Sequence, residues 1–349
     1  MIMFNSDYLE GAHEKIIKKL TETNLVQTIG YGEDEFCSHA KSMIRKELGD
    51  ENAYIEFLVG GTQTNTTVLD YLLRSHEGVI AASTGHIACH ESGAIEATGH
   101  KVITLPEHNG KITANQIEAY VLGHLNDESK EHMVKPKVVF IAFSTEEGTL
   151  YTKEELKAIY EVCQKYNLYL YLDGARLGYG LTSEKCDLTL QDIYNYTDVF
   201  YIGGTKVGAL FGEAVVFKST TPHDEFKYYI KQKGGLLAKG RLLGIQYEGL
   251  FEKENGECTY FTIAKHANIM AMKLKQAFLN AGFSLYRDSY TNQQFPILPD
   301  KLIKKLKEEY SFNYWCRIDD HQSAVRFCTS WATKEENVDK FIADLNRLK

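Results

Sequence analysis

The chain has 349 residues, of which 44% are hydrophobic and 25% are charged, enough for one large globular domain and a smaller one. Its formal charge of −8 does not favour contact with a phosphate backbone, so we expect no nucleic-acid partner. It shows neither a basic and apolar secretory leader nor an apolar run of the roughly 20 residues that cross a bilayer, so we expect no membrane partner.

Apolar runs rich in β-branched and aromatic residues predict seven strands in the first two thirds of the chain. They lie at 54–59, 79–82, 101–105, 137–143, 168–172, 198–202 and 213–217. Segments with helical periodicity separate most of them, at 64–74, 87–97, 114–122 and 153–166. Strands that alternate with helices favour a mostly parallel sheet, so we predict an α/β fold with a seven-stranded sheet between helices.

The pattern changes after about residue 220, where long helical stretches precede short strands. Helices are predicted at 223–233, 258–280, 301–309 and 334–347, and strands at 283–286, 294–298, 312–318 and 324–328. We therefore predict a large domain over residues 46–245 and a smaller C-terminal α/β domain over residues 246–349. Residues 1–45 are expected to form an arm and a helix that pack on the small domain or on a partner subunit.

The apolar strand YLYLDGAR ends on Asp173, with Arg176 three residues further on. Ligands of parallel α/β sheets lie beyond the carboxyl ends of the strands, which is where Asp173 is expected. A buried carboxylate needs a cationic partner, because an unpaired buried charge costs several kcal/mol. Arg176 could supply that charge in a purely structural ion pair with Asp173. Alternatively, Asp173 could bind a positively charged group of a ligand, and both interpretations are open at this point.

The next predicted strand ends in the glycine-rich segment GGTKVG, which carries Lys206. Glycines on both sides would let a ligand approach the backbone closely. A lone loop lysine is more often simply solvated. Its place at the end of the strand that follows the Asp173 strand favours a role in the same site.

A third element, at residues 54–65, joins a strand to a helix through Gly60, Gly61 and Thr62. A helix that starts in a glycine turn offers free N–H groups and the positive end of its dipole to an anion. The same sequence could also form an ordinary helix N-cap that binds no ligand. A phosphate at this turn, a ring nitrogen at Asp173 and an aldehyde at Lys206 together describe pyridoxal 5′-phosphate (PLP). A dinucleotide-binding oxidoreductase is a rival interpretation, but no acidic ribose contact follows about 20 residues after the turn.

These motifs, with several others, resemble the low-specificity L-threonine aldolases and the related aromatic amino acid beta-eliminating lyases, which are PLP enzymes of fold type I. The resemblance runs through SDYLEGAHEKI, YGEDEF, VGGTQTN, GHIACHESGAIEATG, STEEGTLY, YLDGARLGYG, GGTKVGALFGEAVVF and AVRFCTSWAT. It implies the fold type I architecture and PLP as cofactor. It also implies cleavage of a β-hydroxy-α-amino acid to glycine and an aldehyde; β-elimination, racemisation or transamination is the alternative.

The resemblance assigns the cofactor contacts residue by residue. Lys206 would bind the cofactor aldehyde covalently, and Asp173 would hold the pyridine nitrogen. Arg176 would lie near the ring hydroxyl and the substrate carboxylate. Gly61 and Thr62 would hold the phosphate.

The resemblance also assigns contacts around the substrate. His86 matches a histidine that stacks on the cofactor ring, and we expect it to be catalytic as well, since either His86 or Glu146 is a candidate for the base that takes the β-hydroxyl proton. Arg326 matches the arginine that clamps the α-carboxylate, a task that suits the fork of a guanidinium. Ser6 matches a serine on the same carboxylate. Tyr31 matches a tyrosine contributed across a dimer interface, so we expect a homodimer or a homotetramer.

Two departures indicate a divergent branch of the family. The family usually has a histidine after the fourth strand, a candidate base for the β-hydroxyl group; Glu146 and Glu147 stand there, and we expect Glu146 to be catalytic. The lysine segment is GGTKVGA in place of the SKGLGAP type.

Metal binding is not expected, although His86, Cys89 and His90 are close in the sequence, because the pattern is not HExxH. The seven cysteines are scattered and form no CxxC pair, which is typical of reduced thiols. We therefore expect a cytoplasmic location.

Overall fold

The computed structural model describes all 349 residues and contains fifteen strands and thirteen α-helices. Strands β1 to β15 span, in chain order, Ile2–Met3, Tyr54–Leu58, Glu77–Ala82, Lys101–Leu105, Lys135–Ala142, Tyr169–Asp173, Val199–Gly203, Glu213–Phe217, Lys253–Glu254, Glu257–Cys258, Leu285–Arg287, Gln293–Pro299, Tyr310–Ser311, Asn313–Arg317 and Gln322–Cys328. Helices α1 to α13 span Glu14–Thr23, Glu35–Leu48, Gly61–Leu72, His86–Cys89, Ala114–Asn126, Lys153–Lys165, Leu177–Leu181, Leu190–Asn195, Phe226–Gln232, Arg241–Phe251, Thr259–Asn280, Asp300–Leu306 and Glu335–Leu348.

A seven-stranded sheet forms the centre of the larger part of the chain, in the order β2-β8-β7-β6-β5-β3-β4. All neighbouring pairs are parallel except those of β8, which runs antiparallel to β2 and β7. Strands β3, β7 and β8 are buried along their whole length, because helices cover both faces of the sheet. The predicted architecture is therefore confirmed, with seven strands whose bounds lie within two residues of the expected ones.

A second, antiparallel sheet of four strands, in the order β11-β12-β15-β14, forms the C-terminal part. Apolar side chains from this sheet, from α11, α12 and α13, and from Phe4 form a separate core of 15 buried residues. Phe327 lies at its centre and packs against Phe278, Phe312 and Phe341. This is the smaller C-terminal domain that the alternation of short strands and helices predicted.

The first 48 residues contact both sheets. Strand β1 pairs in parallel with β13 beside the small sheet. Helix α2 packs on α10 so closely that a Cβ on Gly244 would lie 2.5 Å from the backbone nitrogen of Cys37. The domain boundaries expected at residues 45 and 245 remain predictions.

The helix predicted at residues 87–97 is not observed, so this prediction is wrong. The segment contains only the single turn α4 and a short 3₁₀ turn at Glu96–Thr98. Between them Ser92 and Gly93 have positive φ values of 52° and 71°, a left-handed backbone that interrupts a helix. Helix α10 was not predicted, because its residues are buried on all sides and show no amphipathic pattern.

No helix has both the length and the apolar character that a membrane-spanning helix requires.

Candidate active site

A cavity of about 340 Å³ opens where the strands of the large sheet end. The loops that follow β2, β5, β6 and β7 all contribute to its wall, as expected for a ligand site at the carboxyl edge of a parallel sheet. The predicted site residues that line it are Gly61, Thr62, His86, Glu146, Asp173, Arg176 and Lys206.

Asp173 lies at the end of β6 and is 5% exposed. Its carboxylate accepts hydrogen bonds from the hydroxyl of Tyr201 at 2.5 Å, the side-chain amide of Asn65 at 3.3 Å and the backbone N–H of Ala175 at 2.9 Å. All three donors are uncharged, so the expected alternative of an ion pair with Arg176 is wrong. The donors orient the carboxylate toward the cavity that it lines.

Arg176 pairs with Asp7, a fully buried residue that the sequence analysis did not single out. Its Nε and Nη2 donate to the two oxygens of Asp7 at 2.8 and 3.0 Å, in a bidentate pair. Asn292, which immediately precedes β12, also donates to Asp7, at 2.8 Å. Burial acts to raise the pKa of Asp7, but the charges of Arg176 and Lys206 and the two side-chain hydrogen bonds lower it overall. The only signal in the sequence was its place next to Ser6 in the SDYLEG motif.

Lys206 lies in the hairpin between β7 and β8, and its ammonium group has charged neighbours but no hydrogen bond to any of them. Burial lowers its pKa, and the positive charge of Arg176 lowers it further. The backbone of the hairpin is fixed by a hydrogen bond from the Tyr179 hydroxyl to the Lys206 carbonyl. An amine with a lowered pKa and no partner is suited to attack an aldehyde.

The turn before α3 provides the anion-binding end of the cavity. The N-cap residue of this helix is Gly60, which has no side chain that could accept a hydrogen bond. The first N–H groups of the helix are therefore not capped by a side chain. A Cβ added to Gly60 would meet no atom within 4 Å, so open space lies beside the backbone. Free N–H groups at the positive end of a helix, next to open space, suit a phosphate.

His86 is held by a buried acid that the sequence analysis also missed. Its Nδ1 lies 2.8 Å from Oε1 of Glu91, and Asn65 donates to the same oxygen at 2.7 Å. Burial acts to lower the pKa of His86, but the hydrogen bond to Glu91 and the charges of Asp173 and Glu91 raise it overall. The contact with Glu91 therefore fixes the ring of His86 in the wall of the cavity.

Glu146 lies next to His86, and its Oε1 accepts the backbone N–H of His86 at 2.7 Å. Burial, more than any other cause, raises the pKa of Glu146 to about 7, and the charge of Asp173 adds to the effect. Glu147, in contrast, does not line the cavity and pairs with Arg287. Of the two carboxylates in this loop, only Glu146 is available to a ligand.

A second cavity, of about 520 Å³, adjoins the first and shares with it Tyr8, His86, Glu146, Arg176 and Lys206. Arg326 lines only this second cavity, together with the aromatic residues Tyr314 and Trp315. Its Nη1 and Nη2 atoms donate to the side-chain oxygen of Gln293 at 3.2 Å and to the backbone carbonyl of Asn5 at 3.1 Å, while its buried Nε has no partner. These contacts hold the guanidinium in the cavity wall, where its remaining N–H groups are suited to bind a carboxylate.

Two of the predicted site residues line neither cavity. Ser6 is buried next to Asp7. Tyr31 is 49% exposed in the N-terminal segment, and the ammonium group of Lys231 lies 5.0 Å from the centre of its ring. Because Tyr31 was expected to act across a subunit interface, its role remains a prediction, as does that of Ser6.

The side chains of the first cavity fit PLP. The N-terminus of α3, which has no side-chain cap, is available to the phosphate. The oriented carboxylate of Asp173 is available to the ring nitrogen, and the unpartnered amine of Lys206 is available to the aldehyde. No cluster of three or more His, Cys, Asp or Glu side chains is placed to hold a metal ion.

The fold is that of the fold type I PLP enzymes. The aspartate aminotransferase of Thermus thermophilus superimposes with a TM-score of 0.72 over 100% of this chain and 92% of its own, at 12% identity. The beta-eliminating lyase family profile matches residues 4–300, and the chain therefore belongs to this PLP-dependent family.

Two relatives make the comparison more specific. The threonine aldolase of Leishmania major is 43% identical, with a TM-score of 0.95 over 100% of this chain and 99% of its own. The low specificity L-threonine aldolase of a Pseudomonas species is 30% identical over 98% of this chain and 96% of its own length. The resemblance stated from the sequence motifs is confirmed.

Proposed function

We propose that the protein is a PLP-dependent carbon–carbon lyase that cleaves a β-hydroxy-α-amino acid such as threonine to glycine and an aldehyde. The full-length similarity to threonine aldolases supports this proposal. The observation that carries it is the position of Glu146 in the wall that both cavities share. Retro-aldol cleavage requires a base at the β-hydroxyl group, and a carboxyl group with a pKa of about 7 is suited to that task near neutral pH.

Each residue of the site has a distinct task in this proposal. Arg326 binds the α-carboxylate of the amino acid through its guanidinium, and Arg176, fixed by Asp7, adds positive charge to the same cavity. Together they orient the Cα–Cβ bond of the substrate. Glu146 then removes the proton from the β-hydroxyl oxygen.

The remaining residues hold the cofactor. When bound, PLP supplies an electron sink for the pair of electrons that the broken Cα–Cβ bond releases. Asp173 would hold the protonated ring nitrogen, His86 would contact the ring, and Lys206 would bind the aldehyde covalently. Gly61 and Thr62 would bind the phosphate with their backbone N–H groups.

Product analysis tests the proposal. The purified protein with PLP is incubated with L-threonine or phenylserine, and glycine and the aldehyde are quantified. Equal amounts of glycine and aldehyde are expected. The family name favours β-elimination as the second candidate; formation of only pyruvate and ammonia from a β-substituted amino acid would establish that reaction and reject aldol cleavage.

We also propose a homodimer or homotetramer in which Tyr31 reaches the site of a partner subunit. Exposed apolar side chains of the same segment support this, since Leu25 is 92% exposed and Ile29 is 71% exposed. Sedimentation equilibrium tests it, and a monomer would contradict it. A cytoplasmic location is proposed as well, and the seven free cysteines support it.

A further inference from the structure

Glu213, the first residue of β8, is a buried acid at the anion-binding end of the cavity. It is 3% exposed and lines the cavity together with Gly60, Gly61 and Thr62. Strand pairing places it opposite Leu58, two residues before the Gly60 turn. A carboxyl group next to a phosphate site is unexpected, because a carboxylate and a phosphate dianion repel each other strongly in a buried wall.

The contacts of Glu213 show that no direct ion pair neutralises it. Its carboxyl oxygens accept hydrogen bonds from the backbone N–H of Gly204 at 3.2 Å and from the hydroxyl of Thr205 at 2.8 Å. The hydroxyl oxygen of Thr205 in turn accepts the N–H of Gly212 at 3.0 Å. The single hydroxyl proton of Thr205 is therefore used by Glu213 and is not available to an anion.

The surroundings of Glu213 favour its neutral form. Burial raises its pKa to about 8 against the opposing effects of the Thr205 hydrogen bond and the charge of Lys206, and the charge of Asp173 raises it further. The other titratable groups that face it are tyrosines, whose pKa values are all raised by burial and which are therefore neutral: Tyr171, Tyr201, Tyr247 and Tyr260.

We propose that Glu213 is a neutral carboxylic acid whenever the cofactor phosphate occupies the Gly60–Thr62 turn, and that it donates its proton in a hydrogen bond to that phosphate. Above about pH 8, where the free carboxyl group is ionised, one proton moves from solvent to the carboxylate as the phosphate binds; no bond of the cofactor changes in this step. A protonated carboxyl group is a donor where a carboxylate would only be an acceptor. The inference rests on the cofactor binding of the proposed function and adds a phosphate-binding residue to it.

The proposal links cofactor affinity to pH. Above about pH 8 the free protein carries an ionised Glu213, so each bound phosphate must take up one proton there. The Kd for PLP is then expected to rise about tenfold for each pH unit. In Glu213→Gln the amide cannot ionise and still donates a hydrogen bond, so this slope is expected to disappear.

Titration calorimetry of the cofactor-free protein measures the proton uptake directly, from heats recorded at about pH 9 in two buffers with different protonation enthalpies. With PLP, the wild-type protein is expected to take up about one proton more than Glu213→Gln. With pyridoxal, which lacks the phosphate, the two proteins are expected to agree. Protons that move at Asp173 or Lys206 are common to both ligands and cancel in these differences.

Glu248→Gln is the matched control, since Glu248 is a buried glutamate on α10 that pairs with His39 outside the cavity. It is expected to keep the wild-type uptake. Equal uptake by the wild type and Glu213→Gln would overturn the proposal. The proposal would also be overturned if the wild-type protein took up the same number of protons with pyridoxal as with PLP. That comparison uses the wild-type protein only and does not depend on the folding of a variant. A wild-type protein that does not bind PLP would refute the proposed function instead.

Discussion

Replacement of Glu146 by glutamine separates the proposed base from its neighbours. The amide keeps the size of the side chain and can still accept the backbone N–H of His86, which donates to Glu146 at 2.7 Å. It cannot accept a proton from a β-hydroxyl group. Loss of a positioned base typically lowers kcat by about 10²–10⁴-fold, and this is the loss we expect for threonine cleavage by Glu146→Gln.

The pH dependence of the wild-type enzyme gives the second measure. Because burial raises the pKa of Glu146 to about 7, the base is ionised above that pH and protonated below it. One pH unit below, about a tenth of the enzyme carries the ionised form, and one unit above, about nine tenths does. Wild-type kcat is therefore expected to increase with pH through the neutral range, and the small residual rate of Glu146→Gln is expected to lack this increase.

Glycine formation measured between about pH 5.5 and pH 8.5 tests both statements. The absorbance of the bound cofactor verifies that the variant is still loaded. Glu147→Gln is the matched control, because the adjacent carboxylate pairs with Arg287 outside the cavity, and it is expected to keep the pH dependence. Two results would show that another group removes the β-hydroxyl proton and that Glu146 is not the base. Glu146→Gln could keep the wild-type rate, or it could lose rate but keep the increase of kcat with pH through the neutral range.

Three further substitutions test other parts of the site. Lys206→Ala is expected to abolish the absorption band near the visible edge that borohydride removes from the wild-type protein, and a remaining band would place the covalent linkage elsewhere. Arg326→Lys is expected to raise the KM for threonine roughly 10- to 100-fold with little change in kcat, since a hydrogen bond to a charged group contributes about 1.5–3 kcal/mol; an unchanged KM would mean that another residue binds the α-carboxylate. Asp7→Asn is expected to lower the free energy of unfolding in urea by about 3–5 kcal/mol, because it leaves the Arg176 guanidinium without its buried partner; a loss below about 1 kcal/mol would show that solvent compensates for the carboxylate.

Strand prediction succeeded for both buried and edge strands. The runs that became β4 and β8 were predicted with the observed bounds: β8 is buried along its whole length, whereas β4 lies at the sheet edge and exposes Lys101 and Thr104. Prediction failed where backbone geometry or tertiary packing decides. The left-handed residues Ser92 and Gly93 end a helix that periodicity alone would continue, and α10 is buried on all sides and shows no amphipathic face.

The site shows the same division. Asp173, Lys206 and Gly61 could be found because each follows a predicted strand, and parallel strands end at one edge of the sheet. Asp7 and the hydroxyl of Tyr201 could not, because their partners are distant in the sequence. Their contacts depend on how helices and strands pack, which no local pattern encodes. Glu91 lies only five residues after its partner His86, but the two side chains meet through an irregular turn that periodicity did not predict.

The hairpin that carries Lys206 restricts which atoms can move during turnover. Its two strands are paired up to Gly203 and Glu213, and the N–H groups of Gly204 and Thr205 both donate to the carbonyl of Gly212. The Tyr179 hydroxyl holds the carbonyl of Lys206 itself. Three hydrogen bonds therefore hold the backbone around Lys206 in place. When the amine binds or leaves the cofactor aldehyde, we expect its displacement to come from rotation about the bonds of the four side-chain methylene groups.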